Sequence, residues 1–305
     1  MRLLLVDGHY FLYRSFFAIR GLSNSRGEPT NAIYGFTKAL RKMQADLAPD
    51  LGAVIWDSGL PERRTALQPA YKQQRPEMPE EMRMQEGFMK EMVALLGFAS
   101  LSVKNTEADD LIAAYASRFS GEVVIATNDK DILQIVDERV RIYSTNKTDL
   151  RAPGDGYALL GPAEVRCKWG VDPKQIADVL ALTGDSSDNI PGVEGVGQKT
   201  AAALVNEFGS VDALLRRSAD VSREKVREKI EASRELILQN LDMVRLDTDM
   251  ELPAEVASFG IAPRYPELIE AVRRCEFKSL LVEIEKEAAK SGGAVPPVEE
   301  QGSLF

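Results

Sequence analysis

The stretch NTEADDLIAAY, residues 105–115, places Glu107, Asp109 and Asp110 within four positions, directly ahead of an apolar run that reads as a helix. Two chemistries suit that crowding. Acids in a first helical turn accept free backbone N–H groups and favour the positive end of the helix dipole, and Thr106 with Asp109 has the form of a variant capping box. The other chemistry is a cradle of oxygen ligands. It gains weight because the acids recur: RLLLVD stops at Asp7, GAVIWD at Asp57, and EVVIATND at Asp129, with Asp131 two residues on. LTGDSSDN adds Asp185 and Asp188, which in isolation read as a turn.

Like charges brought together raise the cost of ionising one another, so something positive must hold them. Lys130 is the one cation flanking the Asp129 and Asp131 pair in sequence. All-oxygen ligand sets suit hard cations such as Mg²⁺ or Mn²⁺, and a chain with His9 as its single histidine cannot build the usual imidazole zinc site. So many acids exceed the needs of one ion. Two ions roughly 3.5–4 Å apart form the arrangement that cleaves phosphodiesters. That chemistry needs no histidine base, and His9 reads as a helix-start or packing residue.

The elements that must position these acids follow from the alternation of short apolar strands with helical stretches. RLLLVD, GAVIWD, SLSV and EVVIATND are interleaved with helices predicted at 31–47, 80–96 and 107–119, the rhythm of an α/β domain with a parallel sheet. The carboxyl ends of parallel strands share one edge, where ligands bind, and the acids fall there. After about residue 150 helices dominate: KQIADVLAL, KTAAALVNEF, a long amphipathic stretch from Ser222 to Asn240, and YPELIEAVRRCEF. The expected division is an α/β domain over 1–165, a helical domain over 166–288 and a flexible Gly-, Pro- and Glu-rich tail over 289–305.

Candidate phosphate contacts lie close by. GLPERRTALQPAYKQQR carries Arg63, Arg64, Lys72 and Arg75 against Glu62, with Tyr71 as a stacking face; it is either a solvated loop or the counterpart of a phosphate substrate. DGHYFLYRSFF adds Arg14 among aromatics that are mostly core or wedge residues. IPGVEGVGQKTAAALVNEF fails the P-loop and GxGxxG spacings, but a tight turn exposing Gly195 and Gly197 at a helix start is a sequence-independent phosphate clamp suited to duplex DNA.

Composition sets the bounds. The 305 residues are 44% apolar, enough for a sizeable core. The net charge of −9 argues against nucleic acid at first sight, yet the acids assigned to one cluster account for it, leaving the remainder balanced. Cys167 and Cys275 form no CxxC pair, and no secretory leader or membrane-spanning run is seen, which together point to the cytoplasm.

In order along the chain, LLLVDG, RGEPTNAIYGF, the Arg64, Tyr71, Lys72 and Arg75 pattern, EADD, TNDKD, LTGDSSDN, PGVEGVGQKT and CEFKSLL resemble the bacterial 5' nucleases over about residues 1–285. These occur as the N-terminal part of DNA polymerase I and as separate flap endonucleases or 5'-3' exonucleases. The resemblance implies a PIN-like, mostly parallel sheet with flanking helices and a helical arch near 59–90, joined to an α-helical domain with a helix-hairpin-helix motif near 189–208. It implies two Mg²⁺ or Mn²⁺ ions on Asp7, Asp57, Glu107, Asp109, Asp110, Asp129, Asp131, Asp185 and Asp188, and K⁺ at the hairpin. Lys72 and Arg75 would face the scissile phosphate. Arg14, Tyr34, Arg64, Tyr71, Gly195, Gly197, Lys199 and Thr200 would contact DNA bearing a 5' flap, nick or primer end. Arg63 stands where relatives often carry an aromatic. The closing QGSLF resembles a sliding-clamp peptide, with Gln301, Leu304 and Phe305 as contacts; were Phe305 the terminus, the chain would be a stand-alone nuclease. Alternatives are a non-catalytic binder of branched DNA, the nuclease part of a polymerase I, and a PIN-type RNase, which the second domain disfavours.

Overall fold

The computed structural model describes residues 1–152 and 154–292. Of the tail predicted over 289–305, residues 289 and 290 continue the helix Lys278–Lys290, while 293–305, including Gln301, Leu304 and Phe305, lie outside the described residues.

The apolar runs form strands: β1 (Arg2–Asp7), β2 (Leu51–Ile55), β3 (Ala99–Leu101) and β4 (Glu122–Ala126), followed by β5 (Val140–Ser144) and β6 (Ala158–Leu160). The sheet order is β3-β2-β1-β4-β5-β6. β1 pairs parallel with β4, with Leu3 opposite Val123 and Val6 opposite Ala126. β4 pairs parallel with β5, while the short β6 runs antiparallel to β5. The fold is therefore mixed α/β with a mostly parallel sheet. Leu3–Val6 and Val123–Ala126 are fully buried, which is why both strands read as unbroken apolar runs. Their register ends on Val6 and Ala126, so Asp7 emerges beside Thr127 at one sheet edge.

The chain forms two compact units, each discontinuous in sequence. The first comprises Met1–Tyr10, Ile55–Glu77 and Leu101–Val256; the second comprises Phe11–Val54, Met78–Ser100 and the chain from Ala257. In the first unit, the apolar helix Ile176–Thr183 and the amphipathic helix Gln198–Phe208 flank a tight loop. Asn240, fully buried, donates from Nδ2 to the carbonyls of Ala181 (3.0 Å) and Pro191 (2.7 Å), fastening that loop to the helix Arg234–Val244. The predicted long helix over 222–240 is two helices, Glu224–Ala232 and Arg234–Val244, because the backbone at Ser233 leaves helical geometry (φ −101, ψ 15).

In the second unit, the helices Asn31–Leu47 and Glu80–Leu95 are joined by buried Gln85, whose Oε1 accepts the Ala32 N–H (2.9 Å) and whose Nε2 donates to Asn31 Oδ1 (2.8 Å). Arg41 grips Glu287 with two bonds of 2.8 Å, tying Asn31–Leu47 to the helix Lys278–Lys290. Tyr34 packs edge-on against Phe277 with centroids 5.0 Å apart, and Arg14 is exposed on the helix Gly8–Ala18.

Candidate active site

All nine predicted acid ligands belong to the first unit. Glu107, Asp109 and Asp110 gather within 4.8 Å of one another, and Asp131, Asp185 and Asp188 do likewise. Asp57 Oδ1 accepts the N–H of Ala108 (2.8 Å), so a carboxylate from the end of β2 caps the helix Ala108–Arg118. The capping box expected from Thr106 and Asp109 does not form: Glu107 is the residue that precedes the helix, and its side chain points to cations instead.

The hydroxyl of Thr127 donates to Asp7 Oδ2 (2.9 Å) and accepts the N–H of Asp129 (3.0 Å), and Asp129 Oδ1 accepts the N–H of Asp131 (2.9 Å). Thus β1 and the loop after β4 are stitched through one buried threonine. His9 Nδ1 lies 3.1 Å from the Asp57 N–H and 3.0 Å from Asp57 Oδ2, with its ring edge-on to Trp56. It orients Asp57, beyond the packing role read from sequence. Gly8 is required here because a Cβ would collide with the Trp56 ring.

The fold supplies the cations that sequence adjacency does not. The segment 63–75 returns onto them: Arg64 pairs with Glu107 and Asp110, Lys72 with Glu107 and with Asp188 (3.5 Å), and Arg75 with Asp188. Lys130 holds Asp185 at 2.5 Å. Sequence neighbourhood misses these pairs because they span 35 to 116 residues. Tyr71 offers no stacking face: it is 3% exposed, and its hydroxyl lies 3.0 Å from Glu107 Oε1 and 3.2 Å from Asp188 Oδ2. Arg64 is likewise 2% exposed, not a surface contact. Arg63 donates to the Asp242 carbonyl (2.7 Å). The backbone of Lys72 sits at φ 56 and donates to Asp188 O (3.1 Å), while Gln74 donates to Ser186 O (2.9 Å), clasping 72–75 onto the 185–189 loop.

Compensation by these cations is incomplete. Burial, with Asp57 and Asp129 nearby, pushes Asp7 up to about 7. Burial and Asp129 push Asp131 up to about 8, and Asp109 and Asp129 are also raised by burial first. Asp57 goes the other way, to about 2: burial works against it, but His9 and the Ala108 N–H prevail. Burial would deprotonate Lys72, yet Glu107 and Asp188 outweigh it and hold the ammonium charged. Asp131 Oδ1 is buried with no hydrogen-bond partner. A buried carboxylate oxygen with no hydrogen bond, 3.7 Å from Lys130 Nζ, inside an all-oxygen donor set fits a divalent cation, since such an ion restores the charge that those acids otherwise draw from protons.

Gly195, at φ +76, and Gly197, ahead of the helix Gln198–Phe208, are exposed at the hairpin with Lys199, and Thr200 is half-buried beside them. Val193 and Val196 are buried and anchor the turn from within.

An acid-lined edge of a parallel sheet, with a hairpin-bearing helical region following in the chain, is the plan of a resolvase-like nuclease domain. The chain belongs to the 5'-3' exonuclease family: a family model described as 5'-3' exonuclease, N-terminal resolvase-like domain, matches residues 2–170, and one described as 5'-3' exonuclease, C-terminal SAM fold, matches residues 171–267. It is 41% identical over 285 residues to the thermostable DNA polymerase I of Thermus thermophilus, covering 92% of this chain and 33% of that relative. A 5'-3' exonuclease of Aquifex aeolicus is 36% identical over 288 residues, covering 93% of this chain and 95% of the relative. The chain therefore spans about a third of the length of the polymerases and nearly all of the Aquifex protein. Among solved structures, the fold matches T5 5'-exonuclease with bound zinc (TM-score 0.66, 21% identity, 95% and 99% coverage). It also matches the catalytic core of Rad2 in complex with DNA substrate (TM-score 0.59, 16% identity, 90% and 87% coverage).

Proposed function

We propose that the chain is a structure-specific 5' nuclease, acting as 5'-3' exonuclease and flap endonuclease on branched DNA in replication and repair, and trimming flaps or RNA primers to leave a 5'-phosphate and a 3'-hydroxyl. The observation that carries this reading is the under-compensated pair of acid clusters, with Asp131 Oδ1 buried without a hydrogen bond and 3.7 Å from Lys130 Nζ. Two ions, Mg²⁺ or Mn²⁺, fit an all-oxygen set of this size; when bound, they would activate water and steady the departing oxygen. Asp7, Asp57, Glu107, Asp109, Asp110, Asp129, Asp131, Asp185 and Asp188 are the acids that would supply the oxygens. Thr127, His9 and the Ala108 N–H fix the orientation of Asp7 and Asp57.

Lys72, held charged by its acid partners, cannot take a proton from water at neutral pH. With Arg75, whose side chain is 50% exposed, it would stabilise charge on the scissile phosphate. Residues 59–90 form the arch over the 5' strand, and the exposed glycine turn with Lys199 clamps the duplex backbone, with K⁺ at the hairpin. Arg14 and Tyr34 are assigned to DNA contact by resemblance, as is clamp docking through Gln301, Leu304 and Phe305. No helix among the described residues is long and apolar enough to cross a membrane, and the proposed location is the cytoplasm, at the nucleoid. The extent of the polymerase relatives supports a second reading, in which the same activity forms the nuclease part of a polymerase I.

The test is a labelled 5'-flap duplex incubated with Mn²⁺. Release of the flap fragment is expected, and Asp129→Asn and Asp57→Asn are expected to abolish cleavage while DNA binding persists. Retained turnover by both variants overturns the assignment. Binding of the flap without cleavage by the unaltered protein makes it a non-catalytic binder.

A further inference from the structure

Arg64 carries five N–H donors, and the fold uses every one. Nε donates to the Met243 carbonyl (2.9 Å). Nη1 donates to Asp110 Oδ2 (2.8 Å) and to Glu107 Oε2. Nη2 donates to Asp110 Oδ1 (2.8 Å) and to the Arg245 carbonyl (3.1 Å). A guanidinium satisfied in this way has nothing left to offer a phosphate. Asp110 is matched as fully, since both oxygens meet the Arg64 fork and Oδ1 also accepts the Asp247 N–H (2.8 Å). Planar, bidentate pairing of this kind is the least displaceable form of ion pair, and removing one partner leaves a buried uncompensated charge.

Asp110 lies within ligand reach of Glu107 and Asp109, so proximity alone counts all three as ion-binding groups. Their engagement differs. Glu107 turns Oε1 to Tyr71 and to Lys72, an ammonium on a flexible stem. Asp109 Oδ1 accepts the adjacent Asp110 N–H (2.8 Å). Asp110 alone of the three has both oxygens fixed by a cation that is itself anchored to two backbone carbonyls. We infer that Arg64 is a positioning residue and Asp110 its internal counter-ion, so that Asp110 stays outside the ion-binding set while the pair fixes the helix Ala108–Arg118 against the 243–247 segment. Arg64 also supplies a permanent positive charge behind Glu107 Oε2, which leaves Oε1 as the ligand face. The inference rests on the two-ion reading and reassigns two residues within it.

The test counts bound Mn²⁺ by electron paramagnetic resonance. The unaltered protein is expected to bind two ions; if it binds none, the two-ion reading itself fails and the inference goes with it. Asp110→Asn, which keeps the shape and one acceptor, is expected to bind the same number of ions, whereas Asp109→Asn is expected to lose about tenfold or more in affinity. Loss of an ion from Asp110→Asn, with two ions on the unaltered protein, overturns the inference alone. Arg64→Lys, which cannot make the fork, is expected to weaken Mn²⁺ binding about tenfold while binding of branched DNA in EDTA changes less than about twofold. The reverse pattern makes Arg64 a DNA contact and overturns the inference. Manganese-soaked crystals of the unaltered protein decide independently of any variant: Asp110 on Arg64 supports it, and Asp110 on manganese overturns it.

Discussion

The hydroxyl of Thr127 bridges an acid at the end of β1 and one in the loop after β4, donating to Asp7 Oδ2 at 2.9 Å while accepting the Asp129 N–H at 3.0 Å. Because Thr127 is 1% exposed, no water can take over either bond. Thr127→Val keeps the volume and loses both. We expect a stability loss of about 1–3 kcal/mol and Mn²⁺ affinity lowered by about tenfold or more, with both restored in Thr127→Ser. Thermal melting and a Mn²⁺ titration measure the two effects, and unchanged affinity in the valine variant would show that Asp7 needs no such support.

The raised acids set a pH dependence with a definite sign. Asp7, at about 7, and Asp131, at about 8, hold protons in the folded protein that the unfolded chain releases near 3.8. The native state binds more protons through that window, so the metal-free protein loses stability as pH climbs from about 4 to about 8. Asp57, held at about 2, contributes in the opposite sense, and its stabilisation is lost only in strong acid. Ion binding near neutral pH must therefore expel protons. Calorimetric Mn²⁺ titrations in buffers of different ionisation enthalpy should show release of about one to two protons at pH 7 and fewer at pH 9; no buffer dependence would contradict the raised values of these acids.

What the sequence disclosed, and what it did not, divides along a physical line. β1 and β4 are legible because both faces are buried and the chain has no reason to alternate. The acids ending them stand out as abrupt changes of residue type. β5, VRIYS, escapes notice because exposed Arg141 interrupts a short run whose antiparallel partner β6 has three residues. The break at Ser233 hides inside continuous amphipathic periodicity. The destinations of Arg64 and Tyr71 depend on pairing across 43 and 36 residues, which local pattern cannot carry. One signal was available: a cluster of anions demands cations, and the chain's cation-rich stretch follows directly on the strand-end acid Asp57. Thr127, a lone hydroxyl between a strand end and Asp129, was legible in the same way.

The loop carrying Asp185 and Asp188 depends on two glycines packed back to back. Gly184 sits at φ +68, and a Cβ there would run into the Ile190 carbonyl and the Gly192 N–H; a Cβ on Gly192 would run into the Thr183 carbonyl. These obstacles are backbone and cannot rotate away. Gly192→Ala should cost about 3 kcal/mol by melting and weaken Mn²⁺ binding along with it, because Asp185 N–H and carbonyl both pair with Ile190 at 2.8 Å in the same turn. A variant melting like the unaltered protein would mean that the loop relaxes freely.

Lys72 separates binding of the ions from turnover. It stands against Glu107 and Asp188, so in the metal-free protein it already fills part of the role an ion would take. On the role proposed above, its removal would deprive the transition state of a fixed positive charge but leave those acids more negative toward any incoming cation. Lys72→Met should therefore lower the single-turnover rate of flap cleavage by about 100-fold or more, while Mn²⁺ affinity stays equal or rises. Metal affinity that falls in step with the rate would make Lys72 a support for the acid cluster, with no direct part in stabilising the phosphate.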